Sequence, residues 1–564
     1  MNSAQAHGMP LESHPRLVTD MFEDTVRRRP DWTAIDFMGA TTSYRALADA
    51  VDRAAAGLQA LGVVAGTRVA LCLPNTPHYP VLFLATLKAG GVVVNVNPLY
   101  VERELRHLLV DSGAEIIATC DLTEVHRRVV GVAAELGLRH VITCPIAEAL
   151  PMVKSIAYRL FRRGDIAVAP RDAHHLTYAA LIAGRSQPGP VTADPHDVAV
   201  LQYTGGTTGE PKAAMLSHAN LVAQADAMMA HVGGETGEQE RVLGVLPLFH
   251  VFALTTVFSF SMRVGAEMIL LPRYDLKQTL KTIGRARPSF FPAVPTIYGA
   301  IAEAALTRSV DLSSIHACIS GGAPLPADVR EAFESRTKGR LVEGFGLSEA
   351  SPIITCNPID GPDKPGSAGP PFPGTIIEIR DPDAPHALRE RGVPGEICAR
   401  GPQVMAGYWH KAEATEATFC EGALRTGDIG YLDEDGYLFI VDRIKDVILC
   451  GGYNVYPRII EEALYEHPDV AEAVVVGVPD PYRGQAPKAF VTLRAGAGVT
   501  GVDLRDFLRD KISKIELPRA VEIRDKLPKT LIGKLSKKEL VEEERLKAAA
   551  ETEAAASEGV RGAR

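Results

Sequence analysis

The chain has 564 residues, a net charge of −9 at neutral pH, and 46% hydrophobic and 23% charged residues. That length exceeds what one hydrophobic core can organise and predicts a soluble globular protein of about two to four domains. The acidic balance excludes nucleic-acid binding as the main activity, which needs a dominant basic face. The eight cysteines are scattered, without a CxxC or Cys/His cluster, and read as buried reduced thiols rather than a zinc site.

In chain order, the start "MNSAQAHGMPLESHPRL" has neither a basic nor an apolar run, so no signal peptide is expected. "TRVALCLP", "VVVNVNP", "AEIIATC" and "RHVITC" read as buried strands, with "HYPVLFLATLKAGG" as a helix between the first two; this is the texture of a parallel sheet with covering helices. Residues 152–163, "MVKSIAYRLFRR", form an amphipathic basic segment, either a surface helix or a contact with a membrane surface. The sheet pattern resumes at "DVAVLQYT", "AEMILLP" and "SSIHACISGG". The most apolar stretch, "VLGVLPLFHVFALTTVFSFSMRVGAEMILLP", ends in the second of these. Pro247, His250 and Arg263 interrupt it, so it is expected as core and not as a membrane span. From about 366 the strands shorten, with a hairpin predicted to turn at Asp435-Gly436 in "GYLDEDGYLFIVD". Beyond 446, "YPRIIEEALYEHP", "VAEAVVVGVP" and "KAFVTLRA" predict a compact α+β domain, and the Ala/Glu-rich end from 541 predicts a fraying helix.

One loop carries chemistry. In "YTGGTTGEPK" the glycines Gly205, Gly206 and Gly209 let backbone N–H groups converge on anionic oxygens. Thr204, Thr207 and Thr208 add hydroxyls, and Lys212 adds charge. A Walker A loop places its Lys directly after the last Gly; here Glu210-Pro211 intervene, which removes the P-loop NTPases and kinases from consideration.

Together with "PLFHVFA", "SGGAPLP", "EGFGLSEAS", "LRTGDIGYL", "VDRIKDVILCGGYNVYP" and "LPKTLIGKLSKKEL", in this order, the loop resembles the adenylate-forming superfamily of acyl-CoA synthetases, luciferases and peptide-synthetase adenylation domains. Within it the chain is most similar to bacterial long- and medium-chain fatty-acid–CoA ligases, over about residues 20 to 543. The resemblance implies an α/β fold: a large N-terminal region of layered sheets and helices with a small distorted barrel (1–442), a hinge (443–446), a small mobile α+β C-terminal domain (447–543), and a disordered tail (544–564). The activity so implied joins a fatty acid to CoA through acyl-AMP, with Mg²⁺, ATP and CoA, in the cytoplasm or at the inner face of the membrane. A homodimer is compatible with it, and nucleic acid has no place in it.

The same resemblance assigns roles. The 204–209 loop and Lys212 hold the β- and γ-phosphates, so the group held is the leaving pyrophosphate. Glu349 carries Mg²⁺ with Thr204 as hydroxyl partner. Phe345, between Gly344 and Gly346, and the wall Gly322, Ala323 and Pro324 enclose adenine, with Leu347 and Ser348 beside them. Asp428 accepts the ribose hydroxyls, Arg443 reaches the ribose, and His250 stands near the carboxylate. Lys534 bridges carboxylate and ATP in adenylation, whereas Lys529, Lys537 and Lys538 read as solvated charges. Lys445 is the pivot, and Gly451, Gly452 and Tyr453 accommodate CoA. Leu449 stands where luciferases carry a second Lys, and Leu535-Ser536-Lys537-Lys538 departs from the usual continuation after Lys534. An acyl-AMP ligase loading a carrier protein, an aryl-CoA ligase and a non-catalytic acyl-binding protein remain as alternatives.

Overall fold

Apolar runs around residue 70 and again near 93 form adjacent strands, buried in a parallel sheet. The computed structural model describes residues 14–170, 172–184, 187–204, 211–234, 237–307, 310–362, 364–450, 453–480, 482–494, 496–529 and 535–547. The chain divides into two compact units, Met1–Ile377 with Ala399–Leu424, and Glu378–Cys398 with Arg425–Arg564.

The first unit holds two large sheets. One has seven strands, in the spatial order His175–Thr177, His140–Cys144, Ile116–Cys120, Arg68–Cys72, Val92–Asn95, Val198–Thr204 and Lys212–Ser217. All its pairings are parallel except the last, which closes as an antiparallel pair with Thr204 opposite Lys212. The helix His78–Lys88 leaves only Lys88 outside the core, where that side chain meets Glu23 and Asp52 at 2.7 and 2.6 Å. The second sheet has eight strands; Arg241–Gly244, Phe290–Ala293, Ala317–Ser320 and Arg340–Gly346 run parallel in it. The apolar stretch after residue 250 is core, as expected. It includes a π-helical turn, Leu254–Ser259, in which every residue is buried. Among the described residues no helix is long and apolar enough to cross a membrane.

A third sheet comprises Ile376–Arg380, Gly395–Arg400, Phe419–Cys420, Ala423–Leu432 and Leu438–Arg443. Its hairpin turns where expected, with Leu432 opposite Leu438 and Gly436 at φ 83°. The C-terminal residues add a five-stranded sheet in which Val470–Asp480 and Gly484–Leu493 pair antiparallel and the helix Pro457–Tyr465 packs on Val470–Asp480. Helix continues from 538 to 547, and Glu543 and Glu544 bond Arg524 and Lys488 at 2.7 and 2.8 Å, so ordered structure extends past 543. The residues of the expected tail beyond 547 lie outside the described ones. All eight cysteines are buried.

Candidate active site

In an open parallel sheet, ligands bind outside the C-terminal ends of the strands, and in the first unit the motifs after Thr204, Ser320 and Gly346 each follow such a strand end. Strand Val198–Thr204 leads into the glycine-rich loop, and Lys212 opens the returning strand. Thr204 Oγ1 donates to the Lys212 carbonyl at 3.3 Å, tying together the two ends of the loop. Gly205, Gly206, Thr207, Thr208 and Gly209 lie outside the described residues.

Lys212 Nζ stands 5.2 Å from the centre of the Tyr408 ring, and the Tyr408 hydroxyl donates to Glu349 Oε1 at 2.7 Å. Burial, and then the neighbouring Glu349, push the Tyr408 hydroxyl well above its ordinary value, so it stays protonated and remains the donor. Tyr408 is held by backbone pairing on both sides: Met215 N donates to Gly407 O at 2.9 Å and Trp409 N to Ala213 O at 2.9 Å. Met405 N donates to Glu349 O at 2.8 Å, so the same segment also fixes the backbone of Glu349. Lys212 and Glu349 are thus brought to one aromatic side chain. No reading of the sequence named Tyr408; the only signal was its place in "GYWH", a short aromatic run in a loop.

Glu349 sits in a 3₁₀ turn, Ser348–Ala350, that follows the strand Arg340–Gly346. Two features make the turn sharp. Leu347 N bonds Pro352 O at 3.0 Å, and Ser351 takes the left-handed region at φ 66°, a conformation that costs a non-glycine residue energy and recurs at functional sites. Gly346 is required here: a Cβ would come 2.0 Å from the Pro352 carbonyl oxygen. The parallel register of Ser320 with Glu343 lays the loop carrying Gly322, Ala323 and Pro324 beside Gly344, Phe345 and Gly346. Leu325 N donates to Glu343 Oε2 at 3.1 Å and fixes that approach.

His250 caps the short helix Val251–Ala253, its Nδ1 accepting from Phe252 N at 3.3 Å, which leaves the proton of the neutral ring on Nε2. The following residues tie His250 to the rest. A Cβ on Gly321 would come 3.0 Å from the Phe252 ring, and Thr255 Oγ1 donates to Ser351 O at 2.5 Å. The segment before His250 hangs on a buried polar network that the sequence reading missed. Asn75 accepts from Leu248 N at 2.8 Å and donates to Leu246 O at 2.7 Å. Tyr79 Oη lies 2.7 Å from Asn95 Oδ1; Asn95 donates to Gln202 at 2.9 Å, and Gln202 donates to Phe249 O at 3.1 Å. Carboxamides inside otherwise apolar strand runs were the available signal, since a buried amide must find partners.

In the second unit Asp428 and Arg443 are register partners, with Arg443 Nε 3.2 Å from Asp428 Oδ1. Burial raises the Asp428 carboxyl above its ordinary range, and Arg443 and then Lys445 pull it back. Lys445 is itself lowered by burial and then by Arg443. It lies in the 3₁₀ turn Ile444–Asp446, directly after the strand that ends at Arg443. Lys534, Gly451 and Gly452 lie outside the described residues; Tyr453 and Leu449 are exposed.

The lysines beside Lys534 correct one expectation. Lys529 is not a solvated charge but pairs with Glu472 at 2.5 Å. Lys537 lies 3.3 Å from Glu461 and 4.0 Å from Asp446. Lys529 and Leu535 bridge as a β-pair and Ser536 N bonds Pro528 O at 2.8 Å, so Pro528–Lys529 and Leu535–Ser536 are tied to each other. Partners 57 or more positions away were not visible in the local run of lysines, which is why they read as solvent-facing. Lys538 is exposed, as expected.

For a divalent cation the donor set is hard oxygen. Glu349 Oε1 is held by Tyr408, and among the described residues no protein donor besides Tyr408 bonds this carboxylate. Thr204 supplies a hydroxyl at the loop mouth. A site with few protein ligands that borrows phosphate oxygens suits Mg²⁺, and these residues fit one.

Residues 22–409 match the AMP-binding enzyme family, and 459–534 match the AMP-binding enzyme C-terminal domain. A protein of Bacillus subtilis (strain 168) named long-chain-fatty-acid–CoA ligase is 42% identical over 545 residues, covering 95% of this chain and 96% of that protein. The protein of the same name from Escherichia coli O157:H7 is 38% identical, covering 95% and 97%. Among solved structures, the anthranilate CoA ligase AuaEII in complex with anthranoyl-AMP superposes with a TM-score of 0.82 at 26% identity, covering 97% of this chain and all of that one (100%).

Proposed function

The chain belongs to the AMP-binding enzyme family, and from that premise we propose that it is an ATP-dependent fatty acid–CoA ligase acting on long-chain acids. The fatty carboxylate attacks the α-phosphorus of ATP, pyrophosphate leaves, and the CoA thiol then displaces AMP from the acyl carbonyl. The observation that carries the reading is the Lys212–Tyr408–Glu349 arrangement at the mouth of the glycine-rich loop.

The first step sets one anion against another, so its barrier is electrostatic. Lys212 and the loop amides of 205–209 take up charge on the departing pyrophosphate. Glu349, oriented by Tyr408, and Thr204 would hold Mg²⁺, which neutralises phosphate charge. Phe345 and Gly322–Pro324 would take the adenine. Asp428 would accept the ribose hydroxyls while Arg443 offsets the cost of burying its carboxylate. His250, which follows the segment held by Asn75, Tyr79, Asn95 and Gln202, would stand at the carboxylate. Lys534 would bridge that carboxylate and ATP.

The second step needs a different set of residues. Matching of 459–534 to a separate C-terminal domain supports a rotation about Lys445, which would exchange Lys534 for the 451–453 loop and admit the pantetheine arm. The close relatives named as CoA ligases favour CoA over a carrier protein as acceptor. Pyrophosphate release with and without CoA, across acids from C2 to C18 and aromatic acids, tests the assignment. The expected result is acyl-CoA formation with kcat/KM highest for long chains. Turnover that needs a carrier protein, or that prefers aromatic acids, would replace it by one of the alternatives. An acid drawn from lipid also favours a peripheral contact with a membrane.

A further inference from the structure

An amphipathic helix on a soluble protein turns its apolar stripe inward. The helix Met152–Phe161 does the reverse. None of its residues is buried, and Met152, Val153, Leu160 and Phe161 are 77%, 76%, 70% and 85% exposed, with Ile156 at 54%. At 100° per residue, Met152, Val153, Ile156 and Leu160 fall on one arc about 100° wide. The side facing the protein is the polar one. Lys154 Nζ donates to Met38 O at 2.6 Å, and Tyr158 lies near Asp121, which helps push its hydroxyl up to about 12 after the larger effect of burial. Both ends are fastened, by Pro151 against Gly39 and by Ala167 N bonding Asp121 O at 2.8 Å. The outward stripe is therefore a fixed feature of the surface.

We propose that this helix is a docking surface for an anionic lipid bilayer. The charge decides the partner. Residues 152–163 carry Lys154, Arg159, Arg162 and Arg163 and no acid, on a chain whose net charge is −9. The nearest following acid, Asp165, pairs with Arg162 at 3.0 Å; Arg159 is exposed but close enough to Asp121 to pull down a carboxyl that burial raises, and Arg163 is exposed. Exposed apolar side chains bordered by cations match the interface between anionic headgroups and acyl chains. A second copy of the chain fits badly, because a two-fold contact would set the same cations against one another. The inference rests on the reading of the substrate as a long-chain acid, since it places the enzyme where such acids partition.

The test uses the full chain in vesicle sedimentation, with phosphatidylcholine alone and with phosphatidylcholine carrying phosphatidylglycerol. Binding is expected only to the anionic vesicles and should weaken with added salt. The triple variant Arg159→Ser, Arg162→Ser, Arg163→Ser should bind roughly 100-fold more weakly, about fivefold for each charge lost near the surface. Ile156→Ser with Leu160→Ser and Phe161→Ser should also lose binding. Pyrophosphate release with a short soluble acid should be unchanged in both variants, which separates this proposal from the catalytic assignment. Equal vesicle binding by wild type and both variants, or no binding by the wild type, would overturn it. So would a loss of self-association in the apolar variant with vesicle binding intact, which would make the helix an interface between copies.

Discussion

Changing Tyr408 to Phe removes one oxygen and nothing else from the loop mouth. The hydroxyl is the donor, at 2.7 Å, to the Glu349 carboxylate, and the side chain is only 9% exposed. A hydrogen bond to a charged group contributes about 1.5–3 kcal/mol, and outer-shell partners of metal ligands typically change metal affinity by roughly 10–100-fold. Both figures point to the same effect: adenylation by Tyr408→Phe should need about 10–100-fold more Mg²⁺ for half-maximal rate. The ring remains, so Lys212 keeps its contact 5.2 Å from the ring centre. Tyr408→Leu should add about 0.5–1 kcal/mol of cation–π loss and raise KM for ATP as well. The assay is pyrophosphate release at saturating fatty acid and ATP, titrated with Mg²⁺, alongside CoA attack on supplied acyl-AMP, which needs no pyrophosphate site and should be unaffected. A wild-type Mg²⁺ curve for Tyr408→Phe would show that Glu349 does not depend on Tyr408, and the cation site would have to be placed elsewhere.

Asp428→Ala should cut kcat/KM for ATP by a factor corresponding to roughly 1.5–3 kcal/mol with circular dichroism unchanged. Burial raises the Asp428 carboxyl, and it must be ionised to accept ribose hydroxyls, so activity should fall as pH drops through that raised value; Arg443→Gln removes a charge that lowers it and should shift this acid limb of log kcat/KM to higher pH. Gly346→Ala drives a Cβ to 2.0 Å from backbone at Pro352, and thermal unfolding should show a loss of about 1–3 kcal/mol or more with adenylation abolished. Lys445→Pro fixes φ and removes a backbone donor at the pivot, so adenylation should persist while thioester formation slows in stopped-flow measurements.

The strands were legible because "VVVN" and "IIATC" are short apolar runs bounded by turn residues, and both became buried parallel strands. The hairpin at Gly436 was legible from Asp-Gly chemistry alone. Glu349, Lys212 and Asp428 were legible only as members of an ordered set of motifs; singly, each is an ordinary charge. What stayed hidden depends on partners distant in sequence. Tyr408 reaches Glu349 across 59 positions, and Gln202 reaches Asn95 across 107. The π-helical turn at Leu254–Ser259 leaves no mark in an apolar run, because its residues are buried on every side. Nor does the exposed stripe of Met152–Phe161 declare its direction, since periodicity gives a face and packing alone decides whether that face turns in or out.

The central claim is that two separate chemical steps use different parts of the C-terminal residues. Single-turnover rapid quench on Lys534→Ala, with each half-reaction started separately, tests it most directly. Fatty acid and MgATP should give acyl-AMP about 10²–10³-fold more slowly than wild type, the range for losing a key electrostatic stabiliser. Supplied acyl-AMP and CoA should give acyl-CoA at close to the wild-type rate. Equal slowing of both halves would contradict the account.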